Sequence, residues 1–226
     1  EGENRISLED SLISYFPEYQ VDDQEGKLEK ITIRTLLTMS NGHPDVPDRH
    51  GCDDEVRTFL EYPIVHEPGT VFMYDSMGTN MLAAVVKRVT GYNLFQFLRF
   101  RVLEPMGIYG VDCDSCTSGK DQGGGGSRLK TEDMAKITIL YLNKGKWNGK
   151  QLLNAAWIEE STKPSDTEQY GYLFWRGKYN SYRADGKYSQ LSIVLPDADA
   201  VVSLVAECRK GEELTQAIND LICAQL

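Results

Sequence analysis

The sequence predicts an α+β fold in which helices occupy the middle of the chain and an antiparallel sheet follows. Apolar residues recur with helical spacing over roughly residues 30–165, and short runs rich in Val, Ile and aromatic residues follow from about residue 166. An amphipathic helix then ends the chain. We therefore expect one domain over residues 1–226, with a helical part at about 30–165 and a sheet with its C-terminal helix at about 166–226.

The first predicted helix begins after Thr32, whose side chain can cap it, and carries Ile33, Leu36 and Leu37 on its apolar side. Asn41 and Gly42 are typical of its end. Residues 42–69 contain four prolines, which indicates a long irregular segment with one short helix near residues 55–62.

The longest predicted helix covers residues 77–90 and ends at Gly91, a typical C-terminal cap. A second helix begins at Asn93, a preferred N-cap residue, and is expected to end before Pro105. The first of these helices has an apolar stripe, because its apolar residues follow the spacing i, i+3, i+4 and i+7. The stripe is formed by Leu82, Val85, Val86 and Val89.

Four consecutive glycines, residues 123–126, resemble a flexible linker or a phosphate-binding loop. No Gly-Lys-Ser/Thr order follows a strand there, so we expect a backbone that turns tightly or lies close to another segment. Thr131 is then expected to cap a helix that ends at Lys144 and Gly145.

The last third of the chain predicts strands at residues 170–176, 190–195 and 200–207, with a hairpin connection over residues 195–200. The C-terminal helix should cover one face of this sheet. Its apolar stripe consists of Leu214, Ala217, Ile218, Leu221 and Ile222.

Composition excludes several partners. The net charge of -10 disfavours nucleic acid and anionic membrane surfaces, and no apolar run is long enough to cross a bilayer. The N-terminal residues do not form a signal peptide, and five scattered cysteines suggest reduced thiols and a cytoplasmic location. Cys113 and Cys116 lack two nearby soft ligands, so we expect no metal and no cofactor.

Tyr74 is the first candidate for chemistry, because residues 68–76 form a loop that leads directly into the helix at 77–90. A phenol at a helix entrance, beside polar and cationic groups, can be shifted toward ionisation and serve as a proton shuttle. The alternative is a tyrosine that only packs against the helix, as most tyrosines do.

Four ordered blocks resemble the β-lactamase-related serine hydrolases, which include class C β-lactamases and penicillin-binding-protein-like esterases. Residues 31–42 (ITIRTLLTMSNG) are similar to the family's ITIRHLLTHTSG block, and residues 68–91 to its Tyr-x-Asn/Ser motif with the following helix. Residues 124–135 (GGGSRLKTEDMA) are similar to GGLRLTAEDLA, and residues 182–190 to the third motif, on a sheet-edge strand.

The resemblance implies a β-lactamase/transpeptidase-like fold, with an antiparallel sheet flanked by helices, a helical subdomain and the N-terminal strands absent. It implies a serine hydrolase that forms an acyl-enzyme with a small-molecule ester or amide. Tyr74 would then be the general acid/base, and Ser76 would hydrogen-bond the catalytic lysine or the substrate. Asp185 and Gly186 would line the strand that binds the substrate backbone, where an N–H group can complete an oxyanion hole.

Two departures from the family pattern bear on function. Ala184 occupies the place of the Lys or His that often begins the third motif, so Arg183 or Lys187 would have to substitute, or they are solvated surface charges. The Ser-x-x-Lys nucleophile is expected upstream of residue 1. Ser127 and Lys130 match that motif literally, but the preceding glycines argue against the helix that it requires.

A competing hypothesis is a non-catalytic pseudo-hydrolase or binding module of the same fold, because a fold alone does not establish chemistry. The sequence does not predict an oligomeric state.

Overall fold

The computed structural model describes residues 5–22, 24–44, 53–113, 123–166 and 169–225. The chain divides into two compact units. The first, which we call the helical unit, contains Glu1–Pro105 and Asp112–Arg128, and the second, the sheet unit, contains Met106–Val111 and Leu129–Leu226. The helices that follow Leu129 therefore belong with the sheet, whereas the sequence placed the change near residue 165.

Within its described residues, the helical unit contains four α-helices and a two-stranded ribbon. The ribbon pairs β1 (Asp112–Cys113) with β2 (Ser127–Arg128) in antiparallel register. The helices are α1 (Ile33–Leu37), α2 (Glu55–Leu60), α3 (Ser76–Thr90) and α4 (Leu94–Leu98).

Local sequence signals set the helix starts as predicted. Thr32 caps α1 in a reciprocal capping box with Thr35, and Asn93 caps α4 in a second box with Gln96. Gly91 ends α3 in the left-handed conformation at φ 77°. The short helix predicted near residues 55–62 is α2.

One predicted helix end was wrong, since helix α1 stops at Leu37, before Asn41 and Gly42. Helix α4 ends at Leu98, before Pro105 as predicted. After α4, helical turns continue as a π-helix (Arg99–Leu103) and a 3₁₀ turn (Glu104–Met106) that includes Pro105. Proline is tolerated in the first turn of a helical segment because its missing N–H would have no intrahelical partner there.

The core of the helical unit buries a face of α3 that overlaps the predicted stripe only at Val85. Met77, Met81 and Val85 are buried, whereas Leu82, Val86 and Val89 are only partly buried. Polar Asn80 also lies on the buried side, at 5% exposure. The packing partners of α3 therefore selected the buried face, and hydrophobicity alone did not predict it.

The sheet unit is built on a four-stranded antiparallel sheet with the order β5-β6-β7-β8. Its connections are short, and a 3₁₀ turn at Pro196–Ala198 joins β7 to β8 as the predicted hairpin. The strands are β5 (Trp175–Arg176), β6 (Tyr182–Gly186), β7 (Gln190–Leu195) and β8 (Ala200–Val205). The remaining elements are α5 (Thr131–Leu142), the ribbon of β3 (Lys146–Trp147) and β4 (Lys150–Gln151), α6 (Ala155–Thr162) and α7 (Gly211–Leu221).

Helices cover both faces of this sheet. On one face, Ile218 of α7 packs in a core with Leu191, Ile193 and Leu195 of β7. On the other face, Thr138 of α5 hydrogen-bonds the hydroxyl of Ser192 at 3.2 Å, because alternate residues of a strand point to opposite faces.

Two details of these helices differ from the prediction. The N-cap residue of α5 is Lys130, and Thr131 is the first helical residue. The predicted stripe of α7 is buried at Ile218 but not at its end, where Leu221 and Ile222 are 68% and 43% exposed.

Candidate functional site

Tyr74 and Ser76 lie together at the start of α3 in the helical unit. Asp75 is the N-cap residue between them, so Tyr74 directly precedes the cap and Ser76 is the first helical residue. Tyr74 is 47% exposed. The N–H groups of a first helical turn point outward and carry a partial positive charge, so polar and anionic groups are favoured at this end.

The side chain of Asp75 fixes this helix start. It is 4% exposed, and its Oδ1 accepts a hydrogen bond from the Met77 backbone N–H at 2.8 Å. Its Oδ2 accepts a second bond from Asn41 Nδ2, also at 2.8 Å. Both oxygens of a buried carboxylate are therefore satisfied, as burial of a charge requires.

The glycine run lies against the first turns of α3. Asn80 Oδ1 accepts hydrogen bonds from the backbone N–H groups of Gly123, at 3.0 Å, and Gly124, at 2.9 Å. A Cβ atom at Gly124 would lie 2.7 Å from the carbonyl oxygen of Ser76, and one at Gly123 would lie 2.3 Å from that of Thr79. This confirms the prediction of a close backbone approach.

The four substrate-binding candidates lie in the sheet unit. Arg183 and Asp185 belong to β6 and form an ion pair with Nε and Oδ2 3.0 Å apart. The Arg183 guanidinium also lies 5.9 Å from the ring centre of Trp175. Its charge is therefore balanced by Asp185 within the strand, which leaves Lys187 as the stronger candidate for a substrate anion.

The sequence predicts β6 as an edge strand, whereas part of β6 lies between two other strands. Its first two residues, Tyr182 and Arg183, pair with β5, and all five pair with β7. Among the described residues, Asp185 and Gly186 pair on one side only, with Leu191 and Gln190. The two residues assigned to substrate binding therefore retain an edge that could accept an extended ligand.

A cavity of about 340 Å³ lies beside the turn between β6 and β7. The Nζ of Lys187 lies 5.4 Å from the ring centre of Tyr188, and the guanidinium carbon of Arg209 lies 5.9 Å from it. Arg209 was missed by the sequence analysis, because nothing in its local sequence indicates the approach to Tyr188. The cavity is lined by Asp185, Gly186, Tyr188, Ser189, Cys208, Arg209 and Gly211.

Burial perturbs Tyr182, at the start of β6, and Arg176 of β5, which pairs with it in the sheet. Desolvation raises the pKa of the Tyr182 phenol to about 12, although Arg176 nearby acts in the opposite direction. Desolvation also lowers the pKa of Arg176. The Tyr182 phenol is neutral at physiological pH, and its side chain is only 5% exposed, which is typical of a packing residue.

A larger cavity, of about 400 Å³, lies in the helical unit beside α3. Its walls include Phe16, Met81 and Leu94, and neither Tyr74 nor Ser76 lines it. Its α3 lining residues lie between Asn80 and Arg88, past the first turn of the helix, so this cavity does not include the predicted catalytic residues.

The literal Ser-x-x-Lys match does not form the helix that this motif needs. Ser127 belongs to β2, and Lys130 is the residue that precedes α5. Among the residues that the structure describes, no group of three His, Cys, Asp or Glu side chains could hold a metal ion. Cys116 lies outside the described residues, so the Cys113 pair is not seen as a whole.

The structure thus brings Tyr74 and Ser76 together at one helix start, and it brings Arg183, Asp185, Gly186 and Lys187 together at one end of β6. Among the described segments, no helix combines the length and the hydropathy that a membrane span requires.

Comparison with known proteins gives consistent results. The family model named Beta-lactamase matches residues 1–225. Protein flp of Staphylococcus aureus (strain MW2) is 26% identical over 112 residues, which cover 46% of this chain and 22% of that protein. Lovastatin esterase of Penicillium rubens is 40% identical over 129 residues, which cover 46% of this chain and 32% of the esterase. The matches thus span a third or less of either relative's length.

Among solved structures, a Bacillus anthracis protein described as a 6-aminohexanoate-dimer hydrolase superposes with a TM-score of 0.84. It is 20% identical, and the match covers 99% of this chain and 67% of that one. At this identity the likeness establishes the fold alone.

Proposed function

Because this chain belongs to the beta-lactamase family of hydrolases, we propose that the protein is a serine hydrolase that cleaves a small-molecule ester or amide through an acyl-enzyme. The attacking serine would belong to a Ser-x-x-Lys helix outside these 226 residues. An ester is the first substrate class to test, since lovastatin esterase is 40% identical over the region that it shares with this chain.

The observation that carries the proposal is the placement of Tyr74. Its ring is exposed, and the buried cap at Asp75 fixes the backbone directly after it. A proton-transfer group must be both accessible to substrate and held in one orientation. The exposed ring meets the first requirement, and the fixed backbone beside it supports the second. In the proposed mechanism the phenol moves the proton of the attacking serine, and the Ser76 hydroxyl hydrogen-bonds the lysine or the substrate.

We assign substrate binding to the end of β6. The unpaired side of Asp185 and Gly186 would bind the substrate backbone, where an N–H group could stabilise the oxyanion of the tetrahedral intermediate. Lys187 would hold an anionic group of the substrate, since the charge of Arg183 is already balanced by Asp185.

The nucleophile can be located directly. The protein made from its full coding region is treated with a fluorophosphonate, which traps activated serines, and the labelled peptide is identified by mass spectrometry. We expect one label, on a serine outside residues 1–226 and followed three residues later by lysine. A label on Ser127 would overturn the assignment of the nucleophile, and an unlabelled protein would favour a non-catalytic binding module.

The role of Tyr74 is tested with a p-nitrophenyl ester. Tyr74→Phe should lower the acylation rate constant by about 10²-fold or more, the usual scale for removal of a general acid/base. Tyr92→Phe is the matched control, because Tyr92 is similarly exposed, at 52%, and also belongs to the helical unit. Equal rates in Tyr74→Phe and Tyr92→Phe would remove Tyr74 from the mechanism.

A further inference from the structure

The backbone on either side of Tyr74 is held by one residue of the loop that follows α1. The Met73 N–H donates a hydrogen bond to the Met39 carbonyl oxygen at 2.8 Å, and the Asp75 N–H approaches the Met39 sulfur at 3.3 Å. Met39 has a φ of 56°, in the left-handed region. A non-glycine residue keeps such a conformation only where its surroundings impose it, so this loop is itself firmly held.

The same loop also reaches the Asp75 side chain. Asn41 is 1% exposed, and its Nδ2 donates to Asp75 Oδ2 at 2.8 Å while its Oδ1 accepts from the His43 backbone N–H at 3.0 Å. Since the other Asp75 oxygen caps the Met77 N–H, one chain of hydrogen bonds runs from the loop into α3. Buried bonds to a carboxylate are among the strongest in proteins.

A histidine side chain lies beside the Asn41–Asp75 pair. His43 Nδ1 lies 4.0 Å from Asp75 Oδ2. The His43 ring packs against Phe59 and Tyr62, with ring centres 4.4 Å and 5.6 Å away. The side chains of His43 and Asn41 are 1% exposed and Asp75 is 4% exposed, so water has little access to this group.

We propose that Asn41 and Asp75 are positioning residues for Tyr74, and that their buried hydrogen bond sets the orientation of the phenol for proton transfer. This inference rests on the proposed catalytic role of Tyr74. The backbone that carries Tyr74 is fixed through Met39 and Asp75, so a shift of this backbone would move the phenol. Small displacements of a catalytic group can lower rates about 10²-fold.

The two side chains allow an exchange that preserves every one of these hydrogen bonds. In the double variant Asn41→Asp/Asp75→Asn, the new carboxylate accepts from His43 N–H and from the new amide, whose oxygen still caps Met77. The single variant Asn41→Asp instead places two carboxylates in contact. We expect Asn41→Asp to lower kcat for a p-nitrophenyl ester about 10-fold or more, and the exchange to restore it to within about 3-fold of the wild type.

All rates are measured on the full-length protein and expressed per acylated active site, so loss of folded protein does not imitate loss of positioning. Asn41→Ala, which removes the hydrogen bond without adding charge, serves as a second variant if Asn41→Asp does not fold, and it should also lower kcat. Unchanged kcat in Asn41→Ala, or no recovery of kcat in the exchange, would overturn the inference.

A coupling measurement separates positioning from a purely structural role. In a Tyr74→Phe background, Asn41→Ala should change kcat less than about 2-fold, because the group that it positions is already gone. An undiminished effect of Asn41→Ala there would overturn the inference while leaving the role of Tyr74 intact. Full activity of Tyr74→Phe itself would instead overturn the proposed function, and the inference with it.

Discussion

Replacing Gly123 by alanine is expected to destabilise the helical unit by a predictable amount. The added Cβ would lie 2.3 Å from the Thr79 carbonyl oxygen and 2.9 Å from its carbon, so one backbone segment must move by about 1 Å to reach ordinary contact. Both partners are backbone, so no side-chain rotation can relieve the clash. This movement would also disturb the hydrogen bonds that Gly123 and Gly124 donate to Asn80.

The magnitude follows from these two effects. Overpacking of this kind costs about 1–3 kcal/mol, and weakening two hydrogen bonds to a buried amide adds about 1 kcal/mol or more. We therefore expect Gly123→Ala to lower the free energy of unfolding by about 2–4 kcal/mol. Gly125→Ala is the matched control, since its Cβ would meet nothing within 4 Å and would change stability by less than about 1 kcal/mol.

Urea denaturation followed by far-ultraviolet circular dichroism measures both variants under identical conditions. Tryptophan fluorescence would not serve, because Trp147, Trp157 and Trp175 all lie in the sheet unit. With a urea dependence of about 2–3 kcal/mol per molar for a protein of this size, Gly123→Ala should unfold at a midpoint about 1 M lower than Gly125→Ala. Coincident midpoints for the two variants would refute the close packing of the glycine run against α3.

Three further outcomes are expected. Burial raises the pKa of Tyr182 to about 12 from its ordinary 10.0. The stability that the neutral phenol contributes is therefore complete below pH 10 and is lost as pH rises toward 12. The urea midpoint of the wild type should fall over this pH range, and the midpoint of Tyr182→Phe should fall less. Lys187→Met should raise KM for a carboxylate-bearing ester about 10-fold and change KM for a neutral ester little. An equal change in KM for the two esters would refute this role of Lys187. Arg183→Met is the control. Ile193→Ala should cost about 2–5 kcal/mol in thermal unfolding, against less than about 0.5 kcal/mol for exposed Val205→Ala.

The parts of the fold that depend on neighbouring residues could be predicted from the sequence. Thr32, Asn93 and Gly91 cap their helices as expected, because a cap is made by atoms within about four residues of each other. The hairpin between β7 and β8 follows from its turn residues for the same reason. The glycine run was correctly predicted to approach another segment, although not which one.

The α+β class and the family were also within reach of the sequence, since four motif blocks and the hydrophobic periods persist along the chain. The catalytic assignment to Tyr74 and Ser76 stays a prediction, and the structure adds where these residues lie: at the exposed start of a buried helix.

Only the tertiary structure decided which side chains meet across long stretches of chain. It selected the buried face of α3, balanced Arg183 with Asp185 in β6, brought Arg209 to Tyr188, and joined Asn41 to the helix cap at Asp75. Side chains far apart in sequence meet only after the backbone has packed, and local propensity carries no information about such distant partners. The sequence by itself determined the elements and their family, and packing decided the contacts that hold the candidate site in place.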